Sequence, residues 1–563
     1  MRNHIAAVFG LLALASCTMS PAPAPAVIAT TAPAAVSGAP IEVNILAIND
    51  FHGNLEPPSG GVRVFNPAAP REWGNVPGGG APRLASAVAQ LAARNPANTI
   101  MVAAGDLIGA SPLLSSLFHD EPTIESMSKM GLALTAVGNH EFDEGWKELR
   151  RMQDGGCHPV DGCKGPAPFK GAEFQYLAAS TYLDSGETLF PPYAIREFSG
   201  IKVGFIGLTL EGTPDVITPA ARVGISFKDE AETVNALVPK LREQGIEAIV
   251  VLIHEGGFTT GALDDCHGLS GTIAEIVPKF DKAVDVVVTG HTNGIYICTL
   301  DGRLVTSAGA YGTRLTDISI LLDPKTKDII GKKARDVLIA ESDYVEDPAQ
   351  LALISAYKTQ AEPLMKRVVG KSTVAITRSS NNHGESALGD IIADSMLEAA
   401  RKDGSKVDIG FMNPGGIRTD IPYRDGNITF ADIFAVQPFG NDLVTLTMTG
   451  ADLEALLKQQ YQSGGNNILQ VSDGFSFTWR QPTGKPIEIV PASMKLNGQP
   501  VVATQTYRIV TNNFLAGGGD GFTVFKNGKD SVTIATDIAA LEAWVTARSP
   551  LVNTIRGRIT RAQ

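Results

Sequence analysis

The feature that most restricts the fold is a set of short apolar runs in the first half of the chain, each ending where a polar cluster begins. Glu42–Ile48, Thr99–Ala104, Val203–Leu208, Ala248–Ile253 and Val284–Thr289 are rich in Val, Ile and Leu, and Gly or Asp turns and helical stretches follow them. That rhythm, running from Ile41 to about Ala340, predicts an α/β domain. Loops leaving the carboxyl ends of strands are where such sheets build their sites. Asp50 and His52 follow the first run, two residues apart, and in extended backbone both side chains face one way. Asp106 follows Ile100–Ala104, and its two carboxylate oxygens suit it to bridge two cations. Asn139, His140 and Glu141 follow Thr135–Gly138, His254 follows Ile249–Ile253, and His291 with Asn293 follow Val286–Thr289. Singly, an Asp at a strand end caps a helix and a lone His is a satisfied polar residue. Five strand ends carrying oxygen and nitrogen donors in one domain exceed what capping produces, and the donor set suits hard and borderline divalent metals.

The 563 residues exceed one core and fit two large domains. An apolar share of 44% beside 19% charged residues is that of a globular protein, not of a disordered or polytopic membrane chain. A formal net charge of -12 disfavours a nucleic-acid polymer as partner, because backbone binding draws on clustered Lys and Arg. At the start, Arg2 and His4 precede an apolar run, Ile5–Ala15, too short to span a bilayer, and the pattern reads as an export signal over residues 1–17. Leu14-Ala15-Ser16-Cys17 resembles a lipobox, in which the Cys17 thiol receives a lipid anchor; an ordinary signal peptide with an incidental Cys is the alternative. Thr18, not Asp, stands beside it, which by the same resemblance implies an outer-membrane lipoprotein of the periplasm or cell envelope. Residues 18–40, rich in Pro, Ala, Ser and Thr, suit an extended tether.

Beyond Cys17 the cysteines are Cys157, Cys163, Cys266 and Cys298, an even number in a chain read as exported. The local pairing, Cys157 with Cys163 and Cys266 with Cys298, is favoured among the possible ones. A zinc site competes, but the spacings lack the close Cys pairs of structural zinc sites.

Residues 341–371 turn helical and charged, with Asp347-Pro348 as a helix start and Ala349–Met365 as its body, and read as a connector after a catalytic domain of residues 41–340. Residues 372–563 alternate in Leu443–Thr449 and Tyr507–Thr511, with helices near Ala387–Arg401 and Gly450–Gln459, and predict a mixed α+β domain. Asn413-Pro414-Gly415-Gly416-Ile417-Arg418 places an arginine after a tight Gly turn, where its fork suits phosphate. Phe439, in Gln437-Pro438-Phe439-Gly440, and Phe514, ahead of Gly517-Gly518-Gly519-Asp520, put aromatics beside loops. An exposed Phe there is costly unless something stacks on it; core packing is the alternative.

The strings Asn49-Asp50-Phe51-His52-Gly53, Gly105-Asp106, Gly138-Asn139-His140-Glu141-Phe142-Asp143, His254 and Gly290-His291-Thr292 resemble, in letters and in order, the calcineurin-like metallophosphoesterases, specifically their 5′-nucleotidase branch. The strings of the second domain resemble that branch's C-terminal domain, and the resemblance runs from about Ile41 to Gly528. It implies an α/β metallophosphoesterase domain, a β-sandwich flanked by helices, followed by an α+β substrate-binding domain. It implies two divalent metal ions, Mn, Zn, Co or Mg, one held by Asp50, His52, Asp106 and Asn293 and the other by Asp106, Asn139, His254 and His291. The family usually has His or Gln where Asn293 stands. Two such cations about 4 Å apart lower the pKa of a water between them and orient it in line with the scissile P–O bond. By the same resemblance His140 donates to a phosphoryl oxygen or leaving alkoxide while Asp143 holds its tautomer, unless Asp143 merely caps the next helix. Phe439 and Phe514 would sandwich a base, Asp520 would bind ribose hydroxyls, and Asn413 and Arg418 would hold base or phosphate. Arg378 is the single arginine in the loop before the family-like string Glu385–Asp390, where nucleotidases place phosphate-binding arginines closer in. Fewer cations there favour monophosphates or cyclic phosphodiesters.

The function expected is release of nucleoside and phosphate from nucleotides. A 2′,3′-cyclic-nucleotide phosphodiesterase and a nucleotide-sugar pyrophosphatase share the metal site. A sulfur-ester hydrolase would leave the two-Phe clamp without purpose, and a nonenzymatic nucleotide binder would lack a metal ligand. With metals and base in different domains, closure must accompany turnover.

Overall fold

The computed structural model describes residues 38–562 apart from 59, 66–72, 261–265, 462–466 and 482–486. Cys17 and most of the expected tether lie outside the described residues. Two six-stranded sheets form the first domain. One runs Ile329–Leu338, Arg314–Leu322, Ile41–Ile48, Thr99–Ala103, Leu132–Ala136, Gln175–Leu177 across its width. The other runs Ile295–Leu300, Arg303–Ala308, Val284–Thr289, Ala248–His254, Ile201–Thr209, Tyr193–Phe198. Strands buried on both faces need apolar residues at every position, which is why these runs do not alternate. Val43, Ile45, Val102 and Leu134 meet Phe205, Val250, Leu252 and Val288 between the sheets. Leu46, Ile48 and Met101 face outward against Leu84, Val88 and Leu91 of the helix Ala81–Ala92. On the far side Ile206, Ile249 and Val251 pack under Val234, Val238 and Leu241 of the helix Glu230–Glu243. The first domain is therefore the β-sandwich flanked by helices that the resemblance implied.

The central strands are parallel within each sheet: Ile41–Ile48 with Thr99–Ala103, Thr99–Ala103 with Leu132–Ala136, and Ala248–His254 with Val284–Thr289. Parallel pairing brings carboxyl ends to one edge. Every donor named above leaves a strand at that edge.

The helix Pro348–Met365 starts where Asp347 Oδ1 accepts from the Ala349 and Gln350 amides, both at 2.9 Å. Leu353, Ile354, Tyr357 and Ala361 of this helix join Phe118, Ile124 and Met127 in the first domain's outer core. Tyr357 is fully buried, its ring edge-on to Phe118 at 4.9 Å.

The second domain is built on a five-stranded sheet ordered Gln470–Val471, Ile409–Met412, Thr506–Asn512, Asp442–Thr449, Lys529–Thr536. The helices Ala387–Lys402 and Asp537–Arg548 cover one face and Gly450–Gln459 the other. Ser386 caps the first of these and Thr449 with Asp452 forms a capping box on the last. Ile409–Met412 runs parallel to Thr506–Asn512, and antiparallel Asp442–Thr449 starts where that strand ends, with Leu443 opposite Asn512. The loops bearing Asn413 and Arg418, Phe514 and Asp520, and Phe439 consequently share one edge. The disulfides are Cys157–Cys163 and Cys266–Cys298, the local pairing. Among the described residues no helix is long and apolar enough to cross a membrane.

Tyr357→Ala removes the largest side chain by which this helix grips the first domain. The expected cost is about 3–4 kcal/mol, read as a lowered Tm of that domain's transition, with Tyr357→Phe much milder.

Candidate metal centre and substrate cleft

Five of the donors expected from the sequence occupy left-handed backbone: Asp50 at φ 50°, His52 at 47°, Asp106 at 51°, His291 at 69° and Asn293 at 54°. Asp50 and His52 are thus not the extended pair their spacing suggested. Non-glycine residues in this region cost about 1–3 kcal/mol where strained and persist when their surroundings over-determine them. The surroundings here are hydrogen bonds between neighbouring strand-end loops. The Asp50 amide donates to the Gly105 carbonyl at 3.1 Å, the His52 amide to Asp106 at 3.0 Å, and the Tyr311 amide to the Asp50 carbonyl at 2.8 Å.

The same loops fix which ring nitrogens face inward. His52 Nδ1 lies 2.9 Å from the Gly109 carbonyl and His254 Nδ1 lies 2.7 Å from the Ala104 carbonyl. A carbonyl only accepts, so both Nδ1 atoms carry protons and both Nε2 atoms are the ones turned toward the cleft. His254 Nε2 sits 2.9 Å from Asp106 Oδ2 and 3.2 Å from Asn139 Oδ1, while His291 Nδ1 is 2.9 Å from that same Asn139 oxygen. His52 Nε2 is 3.7 Å from Asp106 Oδ2 and 3.9 Å from Asp50 Oδ1. Asp50 Oδ1 is buried with no hydrogen-bond donor, an unusual state for a carboxylate. The chemistry of these donors fits two cations sharing Asp106: nitrogen and oxygen atoms converge from His52, Asp50 and Asp106 on one side and from Asp106, Asn139, His254 and His291 on the other, with Asp50 Oδ1 lacking any other partner. Asn293 lines the same cavity.

The electrostatics agree. Burial pushes the Asp50 carboxyl up to about 7. Burial likewise pulls His52 down to about 3 and His291 down to about 4, keeping both rings neutral and able to ligate. Burial would raise Asp106, but His254, His140 and His52 around it outweigh that and hold it below its ordinary value. His254, which burial would lower, is held up at about 10 by Asp106 beside it. A proton on His254 balances the buried Asp106 charge, and a divalent cation held by these donors would take over that balance as His254 Nε2 gives up its proton.

His140 Nδ1 lies 2.9 Å from Asp143 Oδ2, so Nε2 is the free nitrogen, and the His140 amide donates to Asp106 Oδ1 at 2.9 Å. Burial would lower the His140 pKa, but Asp143 and Asp106 outweigh it and raise it. Asp143 is not the cap of the following helix Trp146–Asp154, whose N-cap is Gly145. Its Oδ2 instead accepts from the Ala110 amide at 3.2 Å.

Two buried carboxylates that the sequence reading passed over hold these loops. Glu141 accepts from the Asp106, Leu107 and Gly138 amides at 2.9, 2.8 and 2.6 Å. Asp120 accepts from the Gly109 amide at 3.1 Å, and Gly109 in turn receives the His52 proton. Glu141 stood inside a quoted string, yet nothing in its position distinguished a backbone acceptor from a ligand.

The second domain supplies the opposite wall of one cavity of about 260 Å³, lined by His52, Asp106, Asn139, His140, His291 and Asn293 from the first domain and by Asn413, Arg418, Phe439, Phe514 and Asp520 from the second. The Phe439 ring stacks on His140 at 5.6 Å and 17°, with the Arg418 guanidinium 5.7 Å over its centre. Phe514 lies flat against Gly519, where any Cβ would meet the ring at 2.5 Å. Asn413 Nδ2 donates to Asp520 Oδ2 at 2.7 Å. Val216, Ile217 and Thr218 of the first domain also line it. Arg378 is not brought there: its Nη1 donates to the Ile417 carbonyl at 3.0 Å, and the side chain lines a separate cavity.

This is the arrangement of a two-domain metallophosphoesterase. Residues 43–294 match the calcineurin-like phosphoesterase family and residues 368–527 the 5′-nucleotidase C-terminal domain family. The chain belongs to the 5′-nucleotidase branch of the calcineurin-like phosphoesterases and is a phosphoester hydrolase whose fold implies divalent metal ions. It is 34% identical over 543 residues to the cell wall protein Lmo0130 of Listeria monocytogenes, covering 90% of this chain and 67% of that one. It is 32% identical over 527 residues to the endonuclease YhcR of Bacillus subtilis, covering 93% of this chain but only 41% of that one. The 5′-nucleotidase precursor of Thermus thermophilus superposes with a TM-score of 0.73 at 26% identity, covering 92% of this chain and 99% of that one.

Glu141→Ala leaves three buried amides without an acceptor and frees both loops bearing Asp106 and Asn139. Retention of divalent metal, measured by chelator competition, should weaken about 10–100-fold while the fold survives.

Proposed function

We propose that the chain hydrolyses nucleoside 5′-monophosphates to nucleoside and phosphate, with Asp50, His52, Asp106 and Asn293 holding one divalent cation and Asp106, Asn139, His254 and His291 the other. The observation that carries this is the single cavity lined by cation donors, His140 and an aromatic wall at once. Bound cations supply an activated water and neutralise phosphoryl charge. The chain's own groups do the rest. Arg418 faces the phosphate, Phe439 and Phe514 offer ring faces to the base, and Asp520 with Asn413 accepts from and donates to ribose hydroxyls. His140, held by Asp143 through Nδ1, presents Nε2 to protonate the departing 5′-oxygen as the P–O bond breaks. The domains shut water out around the reacting atoms.

With Arg378 turned toward Ile417, Arg418 is the arginine lining the cleft among the described residues. One guanidinium suits a monophosphate or a cyclic phosphodiester better than a triphosphate, which keeps 2′,3′-cyclic nucleotides as the second reading. A polynucleotide is disfavoured by the net charge of -12. The envelope is the location this reading favours, with Cys17 as the lipid attachment point.

Hydrolysis of AMP, 2′,3′-cyclic AMP and UDP-glucose, each with Mn, Co, Zn or Mg and read as adenosine and phosphate, AMP isomers, or UMP and glucose 1-phosphate released, ranks the substrates. AMP should lead and Asp106→Ala should abolish release; no metal-dependent release from any nucleotide overturns the reading. Asp143→Asn should lower kcat about 100-fold with KM changed less than about threefold, since it acts through the His140 proton and not through binding.

A further inference from the structure

Outside the cleft, a second group of metal-ligating side chains converges from three separate segments. His119 stands in the turn after the short helix Leu113–Ser116, Glu144 and Glu148 follow the His140 loop, and His158 sits in the loop closed by Cys157–Cys163. One ligand atom from each lies within 4.8 Å of all the others. Glu144 Oε2 is the centre, 2.8 Å from His119 Nδ1 and 3.9 Å from His158 Nε2. The two imidazoles stack at 3.8 Å and 11°, and both are mostly shielded from water. Stacked imidazoles gain little if either is charged, yet three carboxylates, Glu144, Glu148 and Asp161, surround this pair. Arg151 answers Glu148 and Lys164 answers Asp161. Glu144 has only the two histidines.

The geometry points to a third divalent-cation site, formed by His119, Glu144, Glu148 and His158 and selective for a zinc-like ion. Two imidazole nitrogens and two carboxylate oxygens make a four-donor set of the kind zinc takes tetrahedrally. Occupancy needs three local changes, the first being that Glu148, whose two oxygens accept from Arg151 at 2.6–3.0 Å, turns one of them from that guanidinium. The imidazoles turn about χ2, a broad torsion, so that their lone pairs meet. The His158 ring proton moves to Nδ1, which releases the exposed Asp161 amide now donating to that atom at 3.0 Å. The cation replaces the proton between His119 Nδ1 and Glu144 and cross-links the segments that carry Asp120 and Asp143. It is thereby a staple for the loops behind the catalytic pair, chemically independent of nucleotide hydrolysis.

The test is a zinc count by elemental analysis of the full chain after equilibration with Zn²⁺ and removal of free ion. It compares each parent with its His119→Gln/His158→Gln derivative, in the wild type and in Asp106→Ala. The derivative should hold one equivalent less in both backgrounds, and zinc should raise the Tm of Asp106→Ala but not of its derivative. His158→Gln alone, on the surface loop, should show the same deficit should the double change fail to fold. Equal zinc counts in parent and derivative overturn the site, whatever the central pair retains.

Discussion

Everything in this molecule depends on keeping two aspartates, Asp50 and Asp106, buried side by side at the end of a sandwich, with Asp50 Oδ1 left without a donor and Asp106 answered by His254 and the His140 amide. An isolated carboxylate in such surroundings neutralises itself, and Asp50 does move in that direction. Asp106 does not, because His254 and its neighbours are aimed at it. The interior of the first domain is built to hold these charges in place: parallel strands fix where the loops leave, inter-loop amide bonds lock left-handed residues, and Glu141 and Asp120 absorb the amides those loops would otherwise expose. Replacing protons with divalent cations satisfies the whole arrangement at once. That makes metal binding the completion of the fold's own electrostatics.

Much of this was legible before any coordinate. Continuous apolar runs ending in Asp, His or Asn point to an α/β domain with its donors at strand ends, and the parallel pairing then sends those ends to one edge. Val284–Thr289 and the helix Gly450–Gln459 appear with the bounds their sequences suggest. The backbone at Asp50 and His52 was not legible. Two residues apart on a strand implies extended geometry, and only the pairing with Gly105 and Asp106 forces both into the left-handed region. Glu141 and Asp120 were hidden for a related reason: an acceptor of backbone amides is defined by which loops approach it, and loop approach is tertiary information.

Arg378 illustrates the opposite error. Its place before a family-like helix start suggested phosphate, yet the Ile417 carbonyl captures its guanidinium and the Asp420 side chain captures its amide. An arginine finds the nearest unpaired acceptors, and a short loop supplied them on the far side of the Asn413–Arg418 turn. Sequence position fixed its neighbourhood without fixing which way it faced.

The two domains solve one problem by one device. In each, adjacent parallel strands end together and an additional strand end joins them, so polar and aromatic loops gather at a single edge. Neither edge is a complete site: the first has cation donors and His140 but no surface for a base, and the second has Phe439, Phe514 and Arg418 but nothing to activate water. Stacking Phe439 on His140 joins the halves through one ring contact. The same contact ties the aromatic loop of the second domain to the His140 loop of the first, so neither can shift without the other. The shape of the cavity is then set by the fit between the domains, and Ile217 and Thr218, remote from every cation donor in sequence, are part of its wall.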